Sequence, residues 1–192
     1  MAQIKGFALR GLLKQIKGAG LPGGIPALLQ KLPPGEAATF ARPIGNGAWY
    51  PYAAFAALLR AMEQTMGKGD SAFMASIGYR SGREDSGTVF KVIAAIASAE
   101  TILKRGAIFW GQYCDTGTFI MENVVTATAA TPGAGRAMLK NFPAVDPAHC
   151  ALITGWIRGI GEAAGAKNVA ALQTRCVHRG DPWCEYEAKW TK

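Results

Sequence analysis

The sequence predicts an α+β fold in the order helices, hairpin, helix, hairpin, with an antiparallel sheet. Apolar residues recur at helical spacing through most of the N-terminal half. Runs rich in aromatic and β-branched residues then flank two turn signals, Asp115-Thr116-Gly117 and Arg179-Gly180-Asp181-Pro182. Turns this short cannot join parallel strands.

Each element follows from its residues. In "AQIKGFALRGLLKQIK" (residues 2–17), Leu9, Leu12, Leu13 and Ile16 share one helical face opposite Arg10, Lys14 and Lys17. Gly6 and Gly11 weaken this helix as an autonomous element, so docking on the body is expected over a membrane surface. A short helix follows at Ile25 to Lys31 and stops at Pro33-Pro34, which bounds an N-terminal helical arm (1–35) from the body (36–192). From Tyr50, Pro51 opens a helix carrying Phe55, Leu58, Leu59 and Met62, which ends at Gly67. Asp70-Ser71 caps a second through Phe73, Met74 and Ile77, and a third starts at Ser86 or Gly87. The stretch "AIFWGQYCDTGTFIMENVVTATAA" reads as two strands about Asp115-Gly117, and Pro132 to Arg136 turns the chain. Asp146-Pro147 caps a helix with Cys150, Ile153, Ile157 and Ile160 on or near one face. "NVAALQTRCV" and "WCEYEAKW" form the closing hairpin.

Composition excludes several classes. A chain of 192 residues, 49% hydrophobic and 18% charged, can bury a real core. No apolar run reaches the ~18 residues of a spanning helix, and the basic N-terminus lacks a signal peptide's apolar stretch. A cytoplasmic protein without an integral membrane segment is expected. The net charge of +8 permits contact with anionic lipid or nucleic acid, but the basic residues are scattered and form no zinc-finger or basic-zipper pattern. Nucleic acid is not expected as a partner. Catalysis is not expected either: the histidines are only His149 and His178, and no GxSxG elbow, phosphate loop or HExxH is present. "GYRSGREDSG" (78–87) has an anion cradle's composition, but no strand precedes it, so it reads as a helix end and turn.

The cysteines carry more. Cys176 and Cys184 lie eight apart and symmetric about Gly180. They admit a cross-strand disulfide, which a reducing compartment disfavours, or two small buried hydrophobes. They also admit a metal site, for which Cys150 is the natural third thiol. Phe90, Trp110, Tyr113, Phe119, Met121 and Trp156 are expected between sheet and helices, as core or as the lining of an apolar pocket. Heme needs an axial ligand on a helix lining such a pocket. His149 sits at a helix start and His178 near a turn, so no heme is expected.

The segment "HCALITGWIRGIGEAAGAKNVAALQTRCVHRGDPWCEYEAKW" resembles the C-terminal half of the 4-vinyl-reductase domain family. The shared features are the helix "TGWIRGIGEA", a strand ending in Cys, "RGDPWC" and an aromatic final strand. That family groups with the heme-nitric-oxide-binding domains and the transport-protein-particle subunits of vesicle tethering. "WYPYAAFAALLRAMEQTMGKGD" is similar to myxobacterial members of the group. The resemblance implies helices packed on a twisted antiparallel sheet, built from two hairpins with a helix between them. It also implies a dimer and an apolar ligand cavity in residues 36–192. In related aromatic-sensing activators, zinc is held by a cysteine before the helix and a Glu-x2-Cys-x7-Cys set. Cys150, Cys176 and Cys184 match, and Gln173 replaces the glutamate, leaving His178 or Cys114 as candidate fourth ligand. The histidine that the phenol sensors use on their ligand has no counterpart, since both histidines are placed near the thiols.

The function expected is that of an apolar-ligand binding or sensor domain acting as a homodimer or through a regulatory partner protein. A tethering subunit without ligand is the alternative. A tetrapyrrole vinyl reductase would rest on the family name alone.

Overall fold

In a computed structural model of the chain, the structure describes residues 1–85, 101, 106–142 and 145–192. Strand β1 (Gln3–Lys5) runs straight into helix α1 (Gly6–Gly18). The apolar face of α1 is covered: Leu9, Leu12 and Ile16 are buried and Leu13 is half-buried. Each buried Leu or Ile contributes ~1.5–3 kcal/mol, which ties this segment into the same core as the rest. Two short helices follow, α2 (Gly24–Leu29) and α3 (Pro34–Ala37). Strand β2 (Trp49–Pro51) then pairs antiparallel with β1, with Ile4 opposite Tyr50. Strands of three residues offer no period to read, so this small sheet escaped the sequence pattern.

Ala, Leu and Met favour helix in α4 (Tyr52–Thr65), whose run of small and apolar residues is buried from Ala54 to Leu59. Helix α5 (Ser71–Asp85) follows the Asp70 cap, whose carboxylate accepts from the Ala72 N–H at 2.8 Å. The third expected helix, from Ser86, lies almost wholly outside the described residues.

The next element corrects the sequence reading. Gly106–Tyr113 is a helix, α6, and the first hairpin lies further on, between β3 (Thr118–Val125) and β4 (Gly133–Lys140). The Asp115-Gly117 signal therefore joins helix to strand, and the expected turn at 132–136 falls mostly inside β4. A short run such as "AIFWGQY" is apolar on nearly every side, so periodicity cannot tell helix from strand there. The end of α6 is pinned instead by tertiary contacts. Trp110 Nε1 donates to the Thr116 carbonyl at 2.8 Å, Cys114 bridges to Ile4, and the Gln3 N–H donates to the Asp115 carboxylate at 2.7 Å.

Helix α7 (Pro147–Ala163) separates this hairpin from the second, β5 (Lys167–Arg175) and β6 (Cys184–Thr191). The sheet order is β3-β4-β6-β5, every pair antiparallel, so the α+β fold with two hairpins and a helix between them is what forms. Asp146 caps α7 by accepting from the Ala148 N–H at 2.9 Å, with Pro147 in the first turn. Helices α5 and α7 cross with their backbones in contact. A Cβ added at Gly78 would collide with the Leu152 carbonyl, and one at Gly155 with that of Ala75. Among the described residues no helix is long and apolar enough to cross a membrane.

Candidate functional site

Two features meet at the first turn of α7, because adjacent helical residues point ~100° apart. His149 faces an apolar cavity on one side, and Cys150 faces a cluster of thiols on the other.

The cavity has a volume of about 80 Å³. Its wall is built by α1 through Phe7, Gly11 and Leu12, by α6 through Phe109, Trp110 and Tyr113, and by α7 through His149, Ile153 and Trp156, with Phe119 of β3 closing it. Trp110 stacks on Phe119, their centroids 5.8 Å apart, and Phe7 meets Tyr113 edge-on at 4.7 Å. The half-buried Gly11, Ser81, Tyr113 and Trp156 mark its more open side.

His149 is the polar member of this apolar wall. It is 5% exposed and caged by aromatic rings: Phe55 at 5.1 Å, Tyr52 at 5.5 Å, Trp110 at 6.0 Å and Phe142 at 6.4 Å. Its Nδ1 lies 2.8 Å from the Tyr52 hydroxyl. Burial pushes its pKa down to about 3, so the imidazole is neutral at physiological pH. Beneath it, the buried Asp146 carboxylate pairs with Arg60. Burial first, and then this carboxylate, hold the Tyr52 phenol above its ordinary range, so it keeps its proton.

On the other side, the sulfurs of Cys150, Cys176 and Cys184 lie within 4.8 Å of one another, with Cys150 and Cys184 3.7 Å apart. All are buried free thiols. The turn after β5 presents two of them. Asp181 accepts from the Cys176 N–H at 2.7 Å, and Gly180 takes the left-handed backbone (φ 89°) that closes the turn. The hydrogen bond between the Cys150 and Cys184 thiols pulls the pair apart, lowering Cys184 and raising Cys150. Among the described residues, the Gln173 amide nitrogen and the Tyr186 hydroxyl are buried without a conventional hydrogen-bond partner, and both lie close enough to act on Cys150.

Of the residues singled out in the sequence, Trp110, Tyr113, Phe119 and Trp156 line the cavity. Met121 instead lines a separate void of about 20 Å³ toward the sheet, beside Ala137, Tyr186 and Ala188. Phe90 lies outside the described residues. His178 stands apart from the thiols' donor atoms: it is exposed and its Nε2 lies 2.6 Å from the Val145 carbonyl. Cys114 packs at β1 instead. His149 was expected near the thiols and is in the cavity. The cap at Asp146 was the signal that placed it, since it fixes where the helix begins and hence which way residue 149 points.

No protein-family model matches the chain, and no curated protein does, so the 4-vinyl-reductase resemblance rests on the residues alone. Solved structures do match. An H-NOX protein from S. oneidensis in the Fe(II)NO ligation state aligns at 12% identity over 98% of this chain and 99% of that one, with a TM-score of 0.71. The Fe(II) unliganded H-NOX protein from K. algicida aligns at 10% identity over 98% and 97%, with a TM-score of 0.67. The phenol-responsive sensory domain of the transcription activator PoxR, solved with phenol, aligns at 18% identity over 86% and 90%, with a TM-score of 0.56.

These neighbours overturn the expectation that no heme would be carried, because the H-NOX structures are those of iron-bearing heme domains. The reason given for that expectation also fails, since His149 does line an apolar pocket. His149 is a buried neutral imidazole, and an iron would further need a free lone pair on the nitrogen that faces the cavity. The volume is a different matter: about 80 Å³ is far below the ~300 Å³ or more of a cofactor pocket. The zinc expectation draws no support from these neighbours and rests on the three thiols. What the comparisons give is the architecture: the chain has the α+β fold of H-NOX domains and of a phenol-responsive sensory domain.

Proposed function

We propose that this chain is a small-molecule sensor domain whose ligand enters the cavity between α1, α6 and α7. The observation that carries the reading is the cavity itself, apolar on nearly every side with one neutral imidazole in its wall. An apolar cavity of ~150 Å³ stays dry and binds benzene. The present cavity, about 80 Å³, takes a single ring once the half-buried Tyr113 and Trp156 give way. Neighbours that respond to phenol or hold an iron-bound gas ligand support the reading by analogy of fold. The domain acts in the cytoplasm by binding and not by catalysis, and passes its state to a second copy or a regulatory partner.

The thiol cluster belongs to the same proposal as a support. Cys150, Cys176 and Cys184 would hold a thiophilic divalent cation that pins the second hairpin to the start of α7, one residue from the cavity wall.

Tryptophan fluorescence tests the ligand reading directly, because Trp110 and Trp156 line the cavity. Titration with uncharged one-ring aromatics is expected to give saturable quenching at one site per chain, weakened by Ala8→Trp, since Ala8 of α1 also lines the cavity and the larger side chain fills it. A parallel hemin titration reads the tetrapyrrole through its Soret absorption. Quenching that Ala8→Trp leaves untouched would place the ligand elsewhere.

A further inference from the structure

The hydrogen bonding around His149 fixes more than its neutrality. A neutral imidazole has one N–H and one lone pair, and which nitrogen bears the proton is set by what the other one meets. Here Nδ1 meets the Tyr52 hydroxyl at 2.8 Å. That hydroxyl has no other hydrogen-bond partner among the described residues, so unless Nδ1 accepts its proton a buried O–H is left without an acceptor. Tyr52 therefore donates a hydrogen bond to Nδ1, and the imidazole's single hydrogen sits on Nε2. The aromatic cage prevents the ring from turning over. Tyr52 is not part of the cavity wall and His149 is, so the edge bearing Nε2 is the one that meets the cavity. Among the described residues Nε2 has no hydrogen-bond partner, although the side chain is more than nine-tenths buried. The Trp110 indole N–H, another donor of the wall, is already given to the Thr116 carbonyl.

We propose that His149 is held as the Nε2–H tautomer, and that the cavity selects an uncharged one-ring molecule with a hydrogen-bond acceptor over one of the same shape without it. This rests on reading the cavity as a ligand site. An acceptor such as a nitrile, carbonyl or nitro group satisfies a buried donor that a hydrocarbon leaves orphaned. Tyr52 is a positioning residue, since its hydroxyl sets the tautomer.

Benzonitrile and phenylacetylene make a matched pair, since they share size and shape and only the nitrile accepts strongly. In the intact chain, benzonitrile is expected to bind roughly tenfold more tightly by tryptophan quenching, the worth of one added hydrogen bond. In His149→Leu the ratio should fall to about one while phenylacetylene still binds. In Tyr52→Phe, with the tautomer released, it should fall part of the way. Nitrogen-15 NMR of the unsubstituted protein reads the tautomer independently of ligand and of variant folding, and a protonated Nε2 is expected. Equal binding of the two probes overturns the selectivity and leaves the binding domain standing. Binding of neither overturns both. A proton found on Nδ1, or hemin iron ligated through Nε2, overturns the tautomer, since a metal needs the lone pair that the proton occupies.

Discussion

The two sides of the first turn of α7 solve opposite electrostatic problems one residue apart. On the cavity side, His149 is kept uncharged: burial depresses its pKa to about 3, and its one anchored nitrogen meets a neutral phenol. On the thiol side, charge is favoured: three sulfurs crowd within 4.8 Å, and Cys184 is lowered, first by its hydrogen bond with Cys150. Burial is common to both, so burial alone does not decide the outcome. What decides it is whether a neighbour stabilises the ion. Cys184 has such neighbours, whereas His149 is ringed by aromatic faces.

The comparison breaks most completely where both sides share a foundation. Gly155 lets α7 touch α5, and Gly155→Val places a side chain against the Ala75 carbonyl. The cost is expected to exceed the ~3 kcal/mol of ordinary overpacking and to abolish cooperative unfolding in denaturant. A variant that unfolds with an unchanged midpoint would show that the crossing is slack.

Acid separates the two sides by pH window. The unfolded chain protonates its histidine near the ordinary value of 6.5, while the folded chain refuses the proton until about 3. Stability from His149 is therefore full above pH 6.5 and falls as the pH drops toward 3, by up to about 4–5 kcal/mol at ~1.4 kcal/mol per unit. Cys184, lowered from 9.0 to about 6, contributes fully above pH 9 and loses its contribution as the pH falls through about 6. Chemical denaturation across pH 3 to 9 should show two successive losses, and His149→Leu should remove only the more acidic one.

Leu12→Ala sharpens the cavity side. Leu12 is buried in α1 and also lines the cavity, so truncation should cost about 3 kcal/mol and enlarge the space available to a ring. Lower thermal stability together with tighter binding of one-ring aromatics is the expected pair of results. Cys176→Ala is the smallest change and acts on the other side. A loss of about 1 kcal/mol is expected. The Cys184 thiolate, followed by its ultraviolet absorption, should titrate at higher pH, because Cys176 is one of the groups that hold it down.

The two sides also differed in how far they were legible in the sequence. The thiols were readable because the turn at Gly180 brings Cys176 and Cys184 together locally, leaving only Cys150 to be supplied by the helix before them. The buried face of α1 was readable for a similar reason, since Leu9, Leu12 and Ile16 follow the helical period. The cavity was not. Its defining contact joins Tyr52 to His149 across 97 residues, and no local pattern encodes such a pairing. His149 was assigned to the thiols by nearness in sequence, although a helix turns neighbours away from each other. The run before Cys114 was misread as strand because it is apolar nearly all round, and its contacts with Ile4 and Thr116 are what fix it as a helix.

The glycine crossing of α5 and α7 bears on how such a domain would report what it holds. Helices spaced by side chains can creep past one another as rotamers hop. Where carbonyl and Cα touch directly, as Gly78 touches Leu152 and Gly155 touches Ala75, that lubricating layer is missing. The pair is therefore one strut. Ile153 and Trp156, which press on the cavity, sit among the very residues that grip α5. On the proposed reading, a guest that displaced them would move two helices as one stiff member, with no play in which a signal could be lost.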